Sequence, residues 1–563
     1  MPEGSMPAGA PLDALVIGAG FSGLYALHAL RDRLGLSVTV LEAADGVGGT
    51  WHWNRYPGAR CDSESHSYCY AFSEELWREW EWTERYPGHE DIRRYLNWVA
   101  DRLDLRRDIR LERRVTEARW DEAAGLWRVA TENGERHAAR FLIAAVGCLS
   151  SANIPAIEGL ESFQGRVAHT GEWPREGVEF AGRRVGLIGT GSTGIQAAPV
   201  IAEQAAHLTV FQRTPNYSVP ARNAPLSPEF RQWVRENRAE ILRVMRATPN
   251  GHPFAAREQS ALEVEEAERE ALYEAAWAKG GMQFRATFRD ILTDKAANDT
   301  ASDFIRRKIR EIVKDPETAR KLTPTDHPYA AKRPPIDSGY FETFNRPNVT
   351  LVDLREDPIA RITPRGVLTR SGEHALDVLV FATGFDALTG PLLRLNLTGR
   401  GGLTLAEAWR EGPRTWLGLA VPGFPNLFTV TGPGSPSVLT NMPVAIEQHV
   451  EWIERCLGEM RARGLDRIEA REAAATRWGA EVNAAAEATL LPMAASSWYL
   501  GANVPGKPRV FMPYAGGMAR YRALCEEVAA KGYEGFDLAR AGAAAIDAGR
   551  GVVPNPAHGP DAA

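Results

Sequence analysis

The sequence predicts an α/β protein made of two Rossmann-like, doubly wound dinucleotide-binding domains, with a helical insertion in the second. Three observations predict it. A strand, glycine turn and helix open the chain from Asp13, and the same order returns from Arg184. Between Pro225 and about Leu322 the periodicity turns helical before strands resume at Val349.

In the first unit, Ala14 to Ile17 reads as a strand, Leu24 to Leu34 as an amphipathic helix and Ser37 to Leu41 as the next strand. In the second, Arg184 to Ile188 and Leu208 to Phe211 read as strands around a helix from Ile195 to Gln204. Ser227-Pro228 supplies a cap and first-turn pair for the insertion. Within it, Phe304, Ile305, Ile309, Ile312 and Val313 recur at helix spacing after Asp299-Thr300. Strands follow at Val349 to Leu351 and Val378 to Ala382. The Ala382-Thr383-Gly384-Phe385-Asp386 run returns the chain to the first domain. Residues 1–12 form a Pro/Gly/Ala-rich leader, and residues 541–563 are an Ala/Gly/Pro-rich tail expected to be disordered.

Composition narrows the function classes. The 563 residues suffice for several domains, and 72 acidic against 66 basic residues are mixed along the chain, which argues against nucleic acid as a partner. Cys61, Cys69, Cys148, Cys456 and Cys525 show neither a C-x-x-C pair nor zinc spacing, so reduced thiols, no metal and a cytoplasmic location are expected. The longest apolar run, around Phe141 to Leu149, is far short of the ~20 residues a bilayer requires, so no membrane partner is expected.

Two glycine turns carry the chemistry. In Gly18-Ala-Gly20-Phe-Ser-Gly23 the first glycine makes the tight turn, the second admits a pyrophosphate, and the third lets helix pack on strand. Glu42, 24 residues after Gly18 at the end of the next strand, can accept both ribose hydroxyls of an adenosine and would repel a 2′-phosphate. The second turn is Gly189-Thr-Gly191-Ser-Thr-Gly194, and here Arg213 stands at the offset of Glu42. The swap reverses the charge. Arg213 with Thr214 can hold a 2′-phosphate, so NADPH is preferred over NADH. Two nucleotide sites imply one held redox cofactor and one that delivers electrons to it.

Phe163-Gln-Gly165-Arg-Val-Ala-His169-Thr-Gly-Glu-Trp173-Pro174 precedes the second turn, and Gly48-Gly-Thr-Trp-His-Trp-Asn-Arg-Tyr-Pro-Gly-Ala-Arg-Cys-Asp62 follows the first. With Lys332-Arg333, Ala382 to Asp386, Gly432-Pro-Gly-Ser-Pro436 and Trp498-Tyr499, these runs resemble the Baeyer–Villiger monooxygenases over about residues 13 to 538, in particular the phenylacetone and steroid monooxygenase branch. The resemblance implies tightly bound FAD reduced by NADPH, and O₂ adding at flavin C4a. The resulting peroxide converts a small-molecule ketone to an ester or lactone. A monomer is expected, with an FAD domain of residues 13–153 and 385–540. The NADP domain is then 154–224 and 331–384, and 225–330 is the insertion.

Carried over residue by residue, the resemblance makes Arg333 the active-site arginine and Asp62 the carboxylate that orients it. FAD contacts are expected at Gly18, Gly20, Ser22, Gly23, Glu42, Gly49, Thr50, Trp51, Trp53, Asp62, Tyr68, Val115 and Met442. NADP contacts are expected at Arg60, Gly189, Thr190, Gly191, Ser192, Thr193, Gly194, Gln196, Arg213, Thr214, Lys332, Arg333 and Trp498. Ser437, Val438 and Leu439 resemble the substrate-pocket segment. Phe163, Gly165, His169, Trp173 and Pro174 belong to a hinge motif, for which positioning is a better reading than proton transfer. The chain departs from the family at His52, where Tyr is usual, and at Arg175, where Asp or His is common. It departs again at Pro334-Pro335, where a branched apolar residue usually follows the arginine. The rival reading is a flavoprotein that oxidises sulfide or amine heteroatoms. A disulfide reductase lacks its paired cysteines here, and a flavin-binding sensor has no need of Arg213, Lys332 and Arg333 together.

Overall fold

The protein is described here from a computed structural model covering residues 10–540 and 546–547. The larger sheet has eight strands, and its spine is a parallel core. Leu12–Ile17 lies between Val38–Leu41 and Arg136–Ala144, with Ile109–Arg110 outside Val38–Leu41. The first half of Arg136–Ala144 pairs antiparallel with Leu126–Thr131, which pairs in turn with Val115–Asp121. Its second half, Leu142 to Ala144, pairs in parallel with Leu427–Thr429 from far down the chain. Late segments thus complete the first sheet, and Leu397–Thr398 adds to its other edge. The antiparallel strands have no counterpart in the expectations from sequence. Val115–Asp121 alternates only weakly between buried and exposed positions, so its period was hard to see.

The second sheet is five-stranded and wholly parallel, in the order Val349–Asp353, His207–Gln212, Arg184–Ile188, Val378–Phe381, Arg166–His169. Between its strands lie the helices Pro228–Glu236, Arg238–Ala247, Glu266–Lys279, Lys295–Ile312 and Pro316–Leu322. The Ser227 hydroxyl accepts from the Phe230 N–H at 3.2 Å, the cap its position foretold. Asp299-Thr300 does not start the long helix. Asp294 does, its carboxylate accepting from the Ala297 N–H at 2.9 Å, so five further residues join the helix. Two other boundaries differ. The first helix is α-helical over Phe21–Leu27 and continues as a π-helix over His28–Arg33, and the second starts at Ser192 rather than Ile195. Of the tail expected to be disordered, Ile546–Asp547 forms a short antiparallel pair with Phe536–Ala539. Residues 541–545 and 548–563, like residues 1–9 of the leader, lie outside the described residues.

Both glycine turns sit at carboxyl ends of strands, where each following helix packs tightly on its sheet. A Cβ on Gly23 would collide with the Gly18 carbonyl, and one on Gly194 with the Gly189 carbonyl. Gly23→Ala is therefore expected to cost ~1–3 kcal/mol or more through overpacking, read as a shift of the urea midpoint with unchanged slope.

The helix Met442–Ala462 closes the first domain and buries Glu447, whose Oε1 accepts from the backbone N–H groups of Ala71 at 2.5 Å and Phe72 at 3.1 Å. Burial pushes this carboxyl up to about 8 against those two donors. The folded protein therefore binds more protons than the unfolded chain between the ordinary carboxylate range and that value, and the contribution of Glu447 to stability falls as pH rises through it. Glu447→Gln keeps an acceptor for both N–H groups. It is expected to flatten the decline of thermal midpoint between about pH 5 and about pH 8. An unchanged decline would show that Glu447 does not carry it.

Candidate active site

One continuous cleft of about 1290 Å³ runs along the carboxyl ends of the parallel strands of both sheets and is lined by both glycine turns. On the first side the helix Phe21–Leu27 begins at Gly20 with no side-chain cap, so the N–H groups at its start are left for a ligand, and Gly20, Phe21 and Ser22 line the cleft. Glu42 is buried, its two oxygens accepting from the N–H groups of Ala19 at 2.6 Å and Ala44 at 2.7 Å. Burial raises its pKa, and those backbone donors oppose the rise. The carboxylate is thus fixed at the strand end where a ribose would lie.

Gly49, Thr50, Trp51, Trp53, Asp62, Tyr68, Val115 and Met442 also line this side. Trp51 donates from Nε1 to the Tyr68 hydroxyl at 3.3 Å. Gly23 does not line the cleft and serves helix packing. These features fit a flavin dinucleotide, with an uncapped helix N-terminus for its pyrophosphate, a fixed carboxylate for its ribose and an aromatic wall beyond.

On the second side the helix Ser192–Gln204 likewise starts without a side-chain cap. Gly189, Thr190, Gly191, Ser192, Thr193, Gln196, Arg213, Thr214, Lys332 and Trp498 line the cleft here, whereas Gly194 is again a packing glycine. A Cβ on Gly191 would meet only open space, so the missing side chain leaves room for a ligand. Thr190 Oγ1 donates to the Thr214 carbonyl at 2.8 Å and ties the glycine turn to the arginine-bearing strand end. The Lys332 ammonium is lowered by burial, raised by Asp326 and lowered again by Arg213, so two cations converge there. A 2′-phosphate would relieve that repulsion.

The two sides are stitched together. Gln196 donates from Nε2 to the Arg60 carbonyl at 3.1 Å and accepts from the Tyr56 hydroxyl at 2.7 Å. Arg60 lines the cleft, but its Nη1 is engaged by Glu84 at 3.2 Å and by the Tyr86 carbonyl at 2.9 Å. At the centre Arg333 grips Asp62 with two parallel hydrogen bonds, Nε to Oδ2 and Nη2 to Oδ1, both 2.7 Å. A third bond runs from Nη1 to the Val438 carbonyl at 2.7 Å. Burial works against both charges, and their mutual attraction overcomes it, holding Asp62 below the usual carboxylate range and Arg333 above the usual guanidinium value. Pro334-Pro335 does not pull the arginine away. The Pro335 carbonyl accepts from the Val219 N–H at 3.2 Å as the chain enters Ile336–Asp337, so the missing proline N–H groups are not needed there.

Several expected residues lie elsewhere. Of the Ser437-Val438-Leu439 segment only Val438 lines the cleft. Ser437 is fully buried and donates to the Thr431 carbonyl at 3.2 Å, and Leu439 packs into an apolar cluster with Cys148 and Tyr499. Phe163, Gly165, His169, Trp173 and Pro174 do not line the cleft either. Phe163 lies over Gly165, and Trp173 is buried near Phe180. His169 Nδ1 accepts from the Gly171 N–H at 3.0 Å, and burial lowers its pKa, so the ring is a neutral cap on the turn that follows it.

Two departures from the family pattern meet at one carboxylate. His52 Nε2 lies 3.0 Å from Asp45, and Arg175 pairs with the same Asp45, joining the run after the first glycine turn to the Trp173-Pro174 motif.

Sequence reasoning missed Arg113, Arg114, Asn153 and Asn503, all of which line the cleft. Asn503 Nδ2 donates to the Phe385 carbonyl at 2.8 Å, and Lys507 reaches Asp386 at 2.6 Å, so the segment carrying Trp498 is pinned to the Ala382–Asp386 return. No motif spacing announces such anchors. Among the described residues no cluster of metal-ligating side chains is present, and no helix is long and apolar enough to cross a membrane.

Residues 13–222 match the model of the flavin-binding monooxygenase-like family. A Baeyer–Villiger monooxygenase of Pseudooceanicola batsensis is 45% identical over 537 residues, covering 94% of this chain and 97% of the relative. A phenazine N-monooxygenase of Lysobacter antibioticus is 46% identical over 529 residues, covering 93% and 97%. The solved structure of an oxidised steroid monooxygenase bound to NADP superposes with a TM-score of 0.90 at 52% identity, covering 94% of this chain and 100% of that one. The chain belongs to the Baeyer–Villiger monooxygenases, FAD- and NADPH-dependent flavoproteins.

Proposed function

We propose that this chain converts a small-molecule ketone to an ester or lactone. In the balanced reaction, one ketone, one O₂, one NADPH and one proton give one ester, one NADP⁺ and one water. The observation that carries this reading is the Asp62–Arg333 pair, standing on the cleft wall between two nucleotide-binding turns. FAD, when bound, supplies the chemistry that splits O₂. Glu42 and the helix start at Gly20 to Ser22 hold its adenosine half. Arg213, Thr214 and Lys332 hold the 2′-phosphate of NADPH. Arg333 keeps its charge at every working pH, and three of its five N–H groups are engaged by Asp62 and Val438. Arg333 lines the cleft as a fixed cation, which favours the negative charge that develops as the carbonyl is attacked. Trp498 covers the site against water. Free, buried thiols agree with action in the cytoplasm.

A second reading is kept because a relative 46% identical is named for N-oxidation of a phenazine. FAD-loaded protein given NADPH, O₂ and a panel of phenylacetone, a steroid ketone, cyclohexanone, thioanisole and phenazine separates the two by mass spectrometry. An ester or lactone one oxygen heavier than its ketone is expected; N-oxide or sulfoxide with no ester from any ketone would overturn the ketone reading. Arg333→Ala is expected to cut ester formation by ~10²–10³ while NADPH is still consumed and hydrogen peroxide released. Arg213→Gln is expected to raise the KM for NADPH by about 10- to 100-fold and leave that for NADH nearly unchanged, since it removes charge-assisted bonds to a phosphate that NADH lacks. Equal effects on both nucleotides would place the 2′-phosphate elsewhere.

A further inference from the structure

Arg285 rises from the short turn Met282–Ala286, within the helical stretch that interrupts the second domain. Its Nε and Nη2 are shut away from solvent with no hydrogen-bond partner, and among the described residues no carboxylate forms an ion pair with it. The groups whose charges act on it are Arg333, Tyr329, Tyr499 and Asp62, which places it beside the reaction centre. Burial first, and the charge of Arg333 second, weaken its hold on its proton. Both oxygens of Asp62 are already taken by Arg333. His252, the neighbouring imidazole, is pushed down to about 3 by burial and by Arg285 and Arg333, and carries no charge. Two guanidiniums thus stand in an enclosed place with one carboxylate, which only Arg333 grips, an arrangement that an arriving anion would stabilise.

The surroundings supply the rest of a carboxylate site. Tyr329 Oη is a second enclosed donor without a partner, and a guanidinium beside a phenol is the donor set that a carboxylate accepts. Arg285 does not line the cleft in this arrangement, but it is only partly buried. Thr440, whose Oγ1 also lacks a partner, does line it and lies two residues after Val438, the carbonyl held by Arg333.

We propose that Arg285, with Tyr329, recognises an anionic group on the ketone, so that the preferred substrate is an oxo acid with its carbonyl at Arg333 and its carboxylate at Arg285. This rests on the ketone-oxidising reading. It makes the helical insertion, rather than either nucleotide domain, the source of substrate choice.

The test uses the FAD-loaded enzyme with a graded series of unbranched oxo acids, from 4-oxopentanoate to 8-oxononanoate, each beside its methyl ester. Wild type is expected to favour the best acid over its ester by about tenfold or more in kcat/KM, mainly through KM. Arg285→Leu should abolish that preference and leave the esters within about twofold, and Arg285→Lys should retain part of it. Binding without turnover, followed by perturbation of the flavin absorbance on adding each acid, should weaken in parallel. No acid exceeding its ester in the wild type would overturn the proposal. So would an Arg285→Leu loss shared equally by acids and esters at normal FAD content, which would make Arg285 a general stabiliser of the reaction. If no substrate yields an ester but acid binding still depends on Arg285, the ketone reading fails while the anion site stands.

Discussion

The Asp62–Arg333 pair is the constraint around which the two nucleotide modules are arranged. Asp62 ends the run that follows the first glycine turn, and Arg333 arrives 271 residues later, as the chain leaves the helical insertion. Two parallel hydrogen bonds fix the plane and direction of the guanidinium, a geometry a lysine would not reproduce. The third bond, to the Val438 carbonyl, fastens the same arginine to the loop before the helix Met442–Ala462. One side chain therefore coordinates three distant segments, and breaking a pair so enclosed leaves an uncompensated charge in a dry place.

Around that pair the charge is divided by task. The first domain presents a carboxylate, Glu42, held by backbone N–H groups where a ribose would lie; the second presents Arg213 and Lys332 at the equivalent place. Both helices open toward the cleft with unsatisfied N–H groups, so each turn favours a phosphate and the strand-end residue decides what kind of adenosine accompanies it. The backbone of the two units is nearly the same device. Its specificity is written in the side chains at the strand end, Glu42 in the first unit and Arg213 with Lys332 in the second.

The departures from the family pattern show how such an arrangement is tuned. Neither His52 nor Arg175 touches the Asp62–Arg333 pair, yet both turn to Asp45 and so tie the first glycine-turn segment to the Trp173-Pro174 motif. The Arg175–Asp45 pair is largely exposed and contributes little stability by itself, whereas His52 is buried. Pro334-Pro335 is similarly harmless, because the chain there offers a carbonyl and not an N–H to its neighbour.

Beyond what the family resemblance of its motifs implied for Arg333 and Asp62, the sequence by itself determined the two glycine turns, the strands and helices that flank them, and the opposite charges at Glu42 and Arg213. All of these are local patterns, or matched offsets from a local pattern, and short-range sterics and hydrogen bonding fix them wherever the chain runs next. Tertiary structure alone decided that Leu427–Thr429 completes the first sheet, that Ser437 turns inward while Val438 faces the cleft, and that Asp294 outcompetes Asp299 as a helix start. It also decided that Arg285 stands unpaired beside Arg333. Those outcomes depend on which distant surfaces meet and which polar atoms are left without partners once they have met, and no window of neighbouring residues contains that information.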